Sequence, residues 1–489
     1  MEFISGENRK QSLLLPASIE DYIKADSTVR VIDAYINSLD LAGLGFAKYV
    51  PNETGRPMYD LKDMLKLYVY GYMNRIRSSR RLEDETKRNL EVLWLIRALS
   101  PDHKTIARFR HDNSGALKNV FRDFARLCVR LGLYGKELIG IDGSKFKAVN
   151  STKRSFTEKQ IQKRIQAITE KSEEYLAALD RNDEEETGVN SGKTAREINE
   201  IINNLKKCKE KYQGYAHILE QTKEKQISLT DPDSRLMYNN GKTEVCYNVQ
   251  TATDAKNKLI VDFEVTNQGN DYNFVTPLAE SALALFETET IAAVADRGYA
   301  SIQDITAAMK SGVDAHIAGT DFDICLPAET EKETVISAHH NGRCVYISER
   351  NIALCPMGNV LYPSHHNEIN GAVFRNTQAC KQCACKCTKK KGYFYHHIRM
   401  RREDFSKEYN TEDLRIKQVR IKPDANIIKQ RKNIAEHPFG TIKCAMDARH
   451  CLSKGIKNVG GEFALTFLAY NLKRAIKLIG CKTLVESMV

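Results

Sequence analysis

Three acidic residues, separated by long stretches of chain, are the side chains of this sequence best suited to chemistry. Asp142 follows the apolar run 139–141, Asp296 follows the apolar run 291–295, and Glu436 lies in a basic segment. Carboxylates hold divalent cations in proteins, and a pair of such cations assists phosphodiester cleavage. The set therefore predicts a site for two Mg²⁺ or Mn²⁺ ions that acts on a phosphodiester.

Taken singly, each of these acids has an ordinary explanation. Asp142 precedes a glycine, a combination that is typical of turns, and Glu436 alone would be an ordinary surface residue. The metal hypothesis therefore depends on all three acids sharing one α/β sheet beside a basic helical region.

The hydrophobic pattern between residues 136 and 318 predicts that sheet. Short apolar runs alternate with segments of helical periodicity, which is typical of a mixed α/β sheet with helices on its faces. Asp142 and Asp296 are each expected to end a strand, and ligand-binding groups of such sheets gather at strand ends. The predicted strands are 137–142, 245–253, 259–266, 291–295 and 313–318, and the predicted helices are 272–286 and 301–310.

Positive charge is concentrated in the first third of the chain. The formal net charge is +11, and residues 56–130 alone hold 17 basic and 9 acidic residues. Helical patterns at 59–74, from there to about 99, and after Pro101 are compatible with helix-turn-helix DNA binding or with a plain helical bundle. We favour DNA binding, for which the candidates are Arg75, Arg77, Arg80, Arg81, Lys104, Arg108 and Arg110.

Residues 151–230 differ in character from the segments around them. Apolar residues recur at alternating spacings of four and three on both sides of the polar stretch 181–192. This pattern predicts an antiparallel helical hairpin with coiled-coil seams and a polar tip. Because 15 basic residues nearly balance 14 acidic ones, the hairpin is a better candidate for a protein contact or a spacer than for a DNA contact.

Cysteines cluster between residues 355 and 387, inside a region of β-type runs at 319–425. The sequence has 13 cysteines and no apolar export signal at its start, which favours a reducing compartment and metal binding over disulfides. The spacing allows a structural Zn²⁺ site, and unliganded thiols are the alternative. The candidate zinc ligands are Cys355, Cys380, Cys383 and Cys387, with Cys385 as a substitute for one of them.

No run of 18 apolar residues occurs, so no transmembrane helix is predicted and a cytoplasmic protein is expected. The best candidate for a span, 463–478, is interrupted by Asn471, Lys473 and Arg474. Its periodicity is that of an amphipathic core helix.

Several segments together resemble the DDE transposases of bacterial insertion sequences. Lys443 stands seven positions after Glu436, which is the spacing of that family. The segments similar to the family's N-terminal domain are 56–60, 71–72, 76–83 and 101–110; those similar to its three catalytic segments are 141–148, 295–299 and 436–443; and 469–474 is similar to its closing helix.

The resemblance implies a ribonuclease-H-like catalytic core in which Asp142, Asp296 and Glu436 hold two Mg²⁺ or Mn²⁺ ions. It further implies that water first cleaves a transposon end, after which the freed 3′-hydroxyl attacks target DNA. The sequence departs from the better-studied branches because no Tyr precedes the Glu in 428–432. Further candidate DNA contacts are Lys145, Arg431, Lys432 and Lys443.

The expected partners are double-stranded DNA and, for pairing of two element ends, a second copy of the chain, in the bacterial cytoplasm at the nucleoid. A catalytically silent, domesticated DNA-binding regulator is the alternative function, and another two-metal nuclease is a third; retention of all three acids favours an active transposase. The expected units are an N-terminal DNA-binding domain (1–135), a core in pieces (136–150, 231–318 and the helical part 426–489), the hairpin (151–230) and the Cys-rich insertion (319–425).

Two local expectations concern the surroundings of the acids. Pro438, two residues after Glu436, predicts a break or a fresh helix start at that point. Asn270 and Asp271 are expected to cap a helix that begins at residue 272, and not to bind metal.

Overall fold

A mixed sheet near the middle of the chain joins two helical regions in the computed structural model. The structure describes residues 18–46, 58–184, 195–222, 226–239, 241–320, 322–327, 337–339, 342–347, 352–355, 359–367, 371–382, 397–400, 416–421 and 423–488.

The N-terminal region is helical, as its periodicity predicts. It contains α1 (Thr28–Ser38), α2 (Leu61–Met73), α3 (Ser79–Arg88), α4 (Leu90–Leu95), α5 (His103–Asp112) and α6 (Ser114–Arg130). Asp102 caps α5, because its carboxylate accepts a 2.8 Å hydrogen bond from the Thr105 N–H. Asn89 caps α4 in a similar way, so the segment predicted as one helix up to about residue 99 is two helices.

The sheet and the hairpin follow in the middle of the chain. Their elements are β1 (Leu138–Lys147), β2 (Ser155–Thr157), α7 (Glu158–Glu184), α8 (Ala195–Thr222), β3 (Gln226–Ser228), β4 (Arg235–Asn239), β5 (Lys242–Asp254), β6 (Ile260–Thr266), α9 (Val275–Phe286), β7 (Ile291–Ala295), α10 (Ile302–Lys310) and β8 (Val313–Ile317).

β1 is a central strand of this sheet. It pairs antiparallel with β5 and parallel with β7, and β8 continues the sheet beyond β7 in parallel. On the other side, β5 pairs antiparallel with both β4 and β6. Parallel neighbours need a crossover, and α9 and α10 provide it before β7 and β8. The predicted mixed α/β sheet is confirmed, with small differences at the ends of its elements.

β1 differs from the prediction in a way that matters for the acids. It does not end at Asp142 but continues to Lys147, with Gly143 opposite Gln250 of β5. The pair Asp142-Gly143 is therefore extended strand and not a turn. Backbone pairing with the long strand β5 overrides the local turn preference of the two residues.

The helical hairpin lies where the sequence predicts it. α7 and α8 pack together, and β2 and β3 form a short antiparallel ladder at their base. Phe156, Ile161 and Leu219 form a small apolar core there, and the Arg164 guanidinium lies 4.9 Å from the centroid of the Phe156 ring. The predicted polar tip lies mostly outside the described residues.

After β8 the described segments are mostly antiparallel strands, as the β-type runs predict. They are β9 (Phe322–Pro327), β10 (Ser337–His339), β11 (Gly342–Ile347), β12 (Ile352–Leu354), β13 (Val360–Asn367), β14 (Gly371–Arg375), α11 (Thr377–Gln382), β15 (His397–Met400) and β16 (Ile416–Ile421). β10 to β15 form one sheet in chain order, whereas β9 pairs with β16, so both ends of this region meet.

The C-terminal region is helical, and its helical backbone is not interrupted at Pro438. It consists of α12 (Ala425–Arg431), a π-helical turn (Lys432–Glu436), α13 (His437–Gly440), a second π-helical turn (Thr441–Ala445), α14 (Ile456–Ile479) and α15 (Cys481–Glu486). Of the two outcomes predicted at Pro438, the break does not occur, whereas a fresh α-helical stretch, α13, does begin there, with Pro438 as its second residue. A proline cannot donate to the carbonyl four residues earlier, and the wider π turn before it accommodates its ring without interrupting the helix.

α14 lies at the centre of one continuous hydrophobic core that extends from Ile23 to Leu484. It packs against the helices α6 and α2 and against the strand β6. Asn471, fully buried, donates to the Ile260 carbonyl and accepts from the Ile260 N–H, so it completes the edge of β6. No helix in the described ranges is long and apolar enough to cross a membrane.

A buried ion pair joins the N-terminal helices to α14. The Arg77 guanidinium contacts Glu462 at 2.5 Å and also donates to the carbonyls of Asp447 and His450. Glu462 in turn accepts from the Leu452 N–H. Both side chains are less than one-tenth exposed, so each neutralises a charge that water does not reach.

We expect Arg77→Ala to lower the free energy of unfolding by about 3–5 kcal/mol, because it leaves the buried Glu462 carboxylate without its counter-charge. Denaturant unfolding monitored by circular dichroism measures this. Arg80→Ala, which removes an exposed arginine, is the control and changes stability by less than about 0.5 kcal/mol. Equal losses in the two variants would contradict the assignment.

Candidate active site

Asp142 and Asp296 lie side by side because β1 and β7 are parallel neighbours. The last paired residues are Gly140 of β1 and Val294 of β7. Asp142 and Asp296 each follow two residues after that pair in the sequence. They lie at the edge of the sheet where β7 has ended. Their charges interact, since Asp296 contributes to the raised pKa of Asp142.

Asp296 is held by the tight turn that follows β7. Its Oδ1 accepts a 2.7 Å hydrogen bond from the Gly298 N–H, at the start of the single 3₁₀ turn Arg297–Tyr299. A side-chain carbon at position 298 would lie 2.9 Å from that oxygen, which is too close. Glycine at this position therefore leaves room for the carboxylate.

Glu436 reaches the same region because the C-terminal helical segment crosses β1 at Gly140. A side-chain carbon at Gly140 would lie 2.7 Å from Ile434 Cγ2 and 3.1 Å from Ala435 Cβ, so the close approach requires glycine. Gly140 and Asp142 are two residues apart and share a face of the strand. The helix that carries Glu436 therefore covers the face from which Asp142 projects.

Arg431 and Glu436 form an ion pair that depends on the π-helical turn between them. Arg431 Nη2 lies 3.4 Å from Glu436 Oε1. Residues five apart do not face each other on an α-helix, whereas a π-helix bonds residue i to i+5. Arg431 is largely buried and also opposes the rise in the pKa of Asp142, so it is a cation that faces the carboxylates.

Lys443 ties the same helical segment to β1. Its ammonium donates to Ser144 Oγ at 2.6 Å and to the Lys145 carbonyl at 3.2 Å, and it lies 4.6 Å from the centroid of the Phe146 ring. Burial lowers the pKa of Lys443. Lys145 itself donates to the Tyr238 carbonyl at 2.9 Å. Both lysines therefore form hydrogen bonds within the protein, close to the three acids.

The pKa of the Asp142 carboxyl group is raised by its surroundings. Burial, with smaller contributions from the charges of Asp296 and Glu436, raises its pKa from 3.8 to about 7, against the opposing effects of the Gly143 N–H and Arg431. A cation bound to the Asp142 carboxylate would offset the cost of its burial and the repulsion from the neighbouring acids.

The donor set is compatible with divalent cations, although it is not a closed cage. Within the described parts of the chain, no three His, Cys, Asp or Glu side chains are already arranged around one metal position. Mg²⁺ commonly takes one or two carboxylates, several waters and substrate phosphates, so it does not need an all-protein cage. The carboxylates of Asp142, Asp296 and Glu436 are hard oxygen donors of that kind. The nearby cation Arg431 does not fully offset the negative charge of Asp142.

Asp271 is a further acid at this place, and the expectation that it caps a helix is wrong. α9 begins at Val275, whose N–H donates to the Asp304 carboxylate of α10 at 2.9 Å. Asp271 Oδ1 instead accepts hydrogen bonds from Asn248 at 2.8 Å and from Gln250 at 2.6 Å. Both donors belong to β5, so this contact is non-local and could not be read from the sequence.

Some of the candidate DNA-binding residues are exposed, and others form buried contacts that stabilise the fold. Arg77 is buried against Glu462, and Arg110 donates to the Tyr72 hydroxyl at 3.1 Å and lies 5.6 Å from the centroid of the Tyr68 ring. The exposed candidates are Arg75, Arg80, Arg81, Lys104, Arg108 and Lys432.

The zinc prediction stays a prediction. Of its candidate ligands, Cys355 and Cys380 are partly exposed residues of the described part, beside β12 and in α11. Cys383, Cys385 and Cys387 lie outside the described residues.

Comparisons with protein families define the class of this chain. Residues 206–472 match the family described as Transposase DDE domain, and residues 17–112 match the family described as Transposase domain (DUF772). Neither a curated protein nor a solved structure gives a significant match.

Because the first family match covers more than half of the 489 residues, the chain belongs to the DDE transposases, as a transposase of an insertion sequence. Asp296 and Glu436 lie within that match, whereas Asp142 precedes it. The pairing of β1 with β5 and β7 is what places Asp142 beside them.

The residues that support the acids were not predicted from the sequence. Gly140 and Gly298 are places of close approach, and Gln250, Asp271 and Tyr299 form one hydrogen-bonded group. The glycines near the two aspartates indicated that another part of the chain approaches closely. They did not indicate which distant element that is.

The pKa of Asp142 leads to a prediction about stability. Because the folded state raises this pKa, the folded protein binds the proton more tightly than the unfolded chain does. Stability from this group is complete below about pH 4 and falls as the pH rises towards 7. In EDTA, we expect Asp142→Asn to be more stable than the wild type by roughly 1–3 kcal/mol at pH 8, and by much less at pH 4.

Denaturant unfolding across this pH range measures the difference. Adding Mn²⁺ at pH 8 should stabilise the wild type and not the variant. Parallel pH profiles for the two proteins would contradict the raised pKa.

Proposed function

We propose that this transposase binds the ends of its insertion sequence, cleaves the DNA there and joins the 3′-hydroxyl ends to target DNA by two-metal phosphoryl transfer. One observation carries the proposal. Asp296 and Glu436, from two distant segments of the chain, both lie close enough to the buried carboxylate of Asp142 for their charges to act on it. The family match supports the reaction class.

We further infer a ribonuclease-H-like core for this reaction. What supports it is the sheet, in which the antiparallel strands β1, β5 and β6 are followed by the parallel strands β7 and β8 with a helix in each crossover. Asp142 lies on the first of these strands and Asp296 just beyond the fourth.

Each residue of the site has a role in this proposal. Asp142, Asp296 and Glu436 bind the cations, and Arg431 offsets part of their charge. The chemistry that two bound Mg²⁺ or Mn²⁺ ions supply is activation of the attacking oxygen and neutralisation of the leaving oxygen. Water is the first nucleophile, at an element end, and the freed 3′-hydroxyl is the second, at target DNA.

DNA is proposed to lie across the exposed basic residues of α3 and α5. These helices pack against each other, and Arg80, Arg81, Lys104 and Arg108 are exposed on them. Arginine and lysine side chains neutralise phosphates, which gives affinity without sequence preference. A second copy of the chain would hold the other element end, with the α7–α8 hairpin as the proposed contact between copies.

Cleavage of a labelled duplex that carries the DNA flanking the coding region tests the proposed reaction. We expect Mg²⁺-dependent strand cleavage that EDTA abolishes. Asp142→Asn should lower the rate by at least about 10³-fold, equivalent to ~4 kcal/mol, while leaving duplex binding largely intact.

Glu289→Gln, which removes an exposed acid just before β7 at its opposite end, is the control and should cleave at the wild-type rate. Undiminished cleavage by Asp142→Asn would refute the assignment of the site. Binding without cleavage by the wild type would favour the silent regulator instead.

The salt dependence of DNA binding tests the basic surface. Replacing both Arg80 and Arg108 by Gln should weaken DNA binding by the same factor for duplexes of different sequence. The slope of log affinity against log salt should fall by about 1 for each phosphate that the variant no longer neutralises. Lys482→Gln, an equally exposed cation on α15, is the control. An unchanged slope in the double variant would place the DNA elsewhere.

A further inference from the structure

Asp271 is linked to the turn that carries Asp296 through two buried side chains. Its Oδ1 accepts from the Gln250 amide at 2.6 Å, and Gln250 Oε1 accepts from the Tyr299 hydroxyl. Tyr299 ends the 3₁₀ turn that Asp296 begins. Gln250 and Tyr299 are both almost completely buried, so these hydrogen bonds do not compete with water.

The glycines that follow the two aspartates leave space for the same carboxylate. A side-chain carbon at Gly143, directly after Asp142, would lie 2.8 Å from Asp271 Oδ1. One at Gly298, in the turn after Asp296, would lie 3.4 Å from Asp271 Oδ2 and 2.9 Å from Asp296 Oδ1. Asp271 therefore lies between the backbone segments that carry both aspartates, on the side from which Gln250 reaches across Gly143.

From these contacts we infer that Asp271 is a positioning residue, which fixes the Asp296 turn through Gln250 and Tyr299. The inference rests on the proposed function, because it assigns Asp271 a role in preparing Asp296 for a cation. Partners of this kind, which orient a ligand without touching the metal, change metal affinity by about 10- to 100-fold when they are removed.

A purely structural explanation is that Asp271 only satisfies the buried amides of Asn248 and Gln250. Loss of such a partner would reduce stability but would leave the affinity of a correctly folded site unchanged. Metal affinity measured on folded protein therefore separates the two roles.

The experiment is calorimetric titration of the full-length, DNA-free protein with Mn²⁺. We expect Asp271→Ala to raise the dissociation constant for Mn²⁺ about tenfold, and Asp271→Asn, which keeps an oxygen for Gln250, to raise it by less than about threefold. Tyr299→Phe keeps the buried ring and removes only the hydroxyl, so it should weaken Mn²⁺ binding in the same direction. The double variant of Asp271→Ala and Tyr299→Phe should bind Mn²⁺ no less tightly than the more impaired of the two single variants. The reason is that both substitutions interrupt the same series of hydrogen bonds.

Wild-type Mn²⁺ affinity in both Asp271→Ala and Tyr299→Phe would overturn the inference. So would an Asp271→Asn variant as impaired as Asp271→Ala, because the charge and not the hydrogen-bonded chain would then matter. Glu289→Gln is the control for loss of a distant negative charge. If the wild type itself neither binds Mn²⁺ nor cleaves DNA, the proposed function fails and this inference fails with it.

Discussion

Burial of the Asp142 carboxyl group beside two further acids sets the main demand that the scaffold has to meet. Asp142 is partly buried beside Asp296 and Glu436, and burial and like charge together raise its pKa to about 7. Such an arrangement persists only where the scaffold holds it. β1 is fixed on both edges by β5 and β7, and Lys443 ties the helix that bears Glu436 to the strand that bears Asp142.

The same scaffold connects the acids to the basic helices. α14 packs against α2 and α6 as well as β6, and the buried pair Arg77–Glu462 joins the segment just before α3 to α14. The helices with exposed arginines and the edge with the acids therefore belong to one continuous core. In the proposed function, DNA held on the basic helices has a fixed relation to the carboxylates.

Much of the fold follows from local patterns in the sequence. Apolar runs of strand length predict β5 to β8, and alternating spacings of four and three predict α7 and α8. One error arose because the prediction depended on local preference alone. β1 does not end at Asp142, since β5 pairs along it as far as Lys147.

Short motifs in the sequence specify the type of residue at each catalytic candidate and the family to which the chain belongs, because they carry that information without reference to distant contacts. Which side chains meet depends on the three-dimensional fold. The parallel register of β1 and β7 aligns Asp142 with Asp296, the close approach over Gly140 admits the Glu436 helix, and Asp271 bonds to β5 instead of capping α9. Each of these contacts joins residues far apart in the chain, where no local spacing specifies the partner.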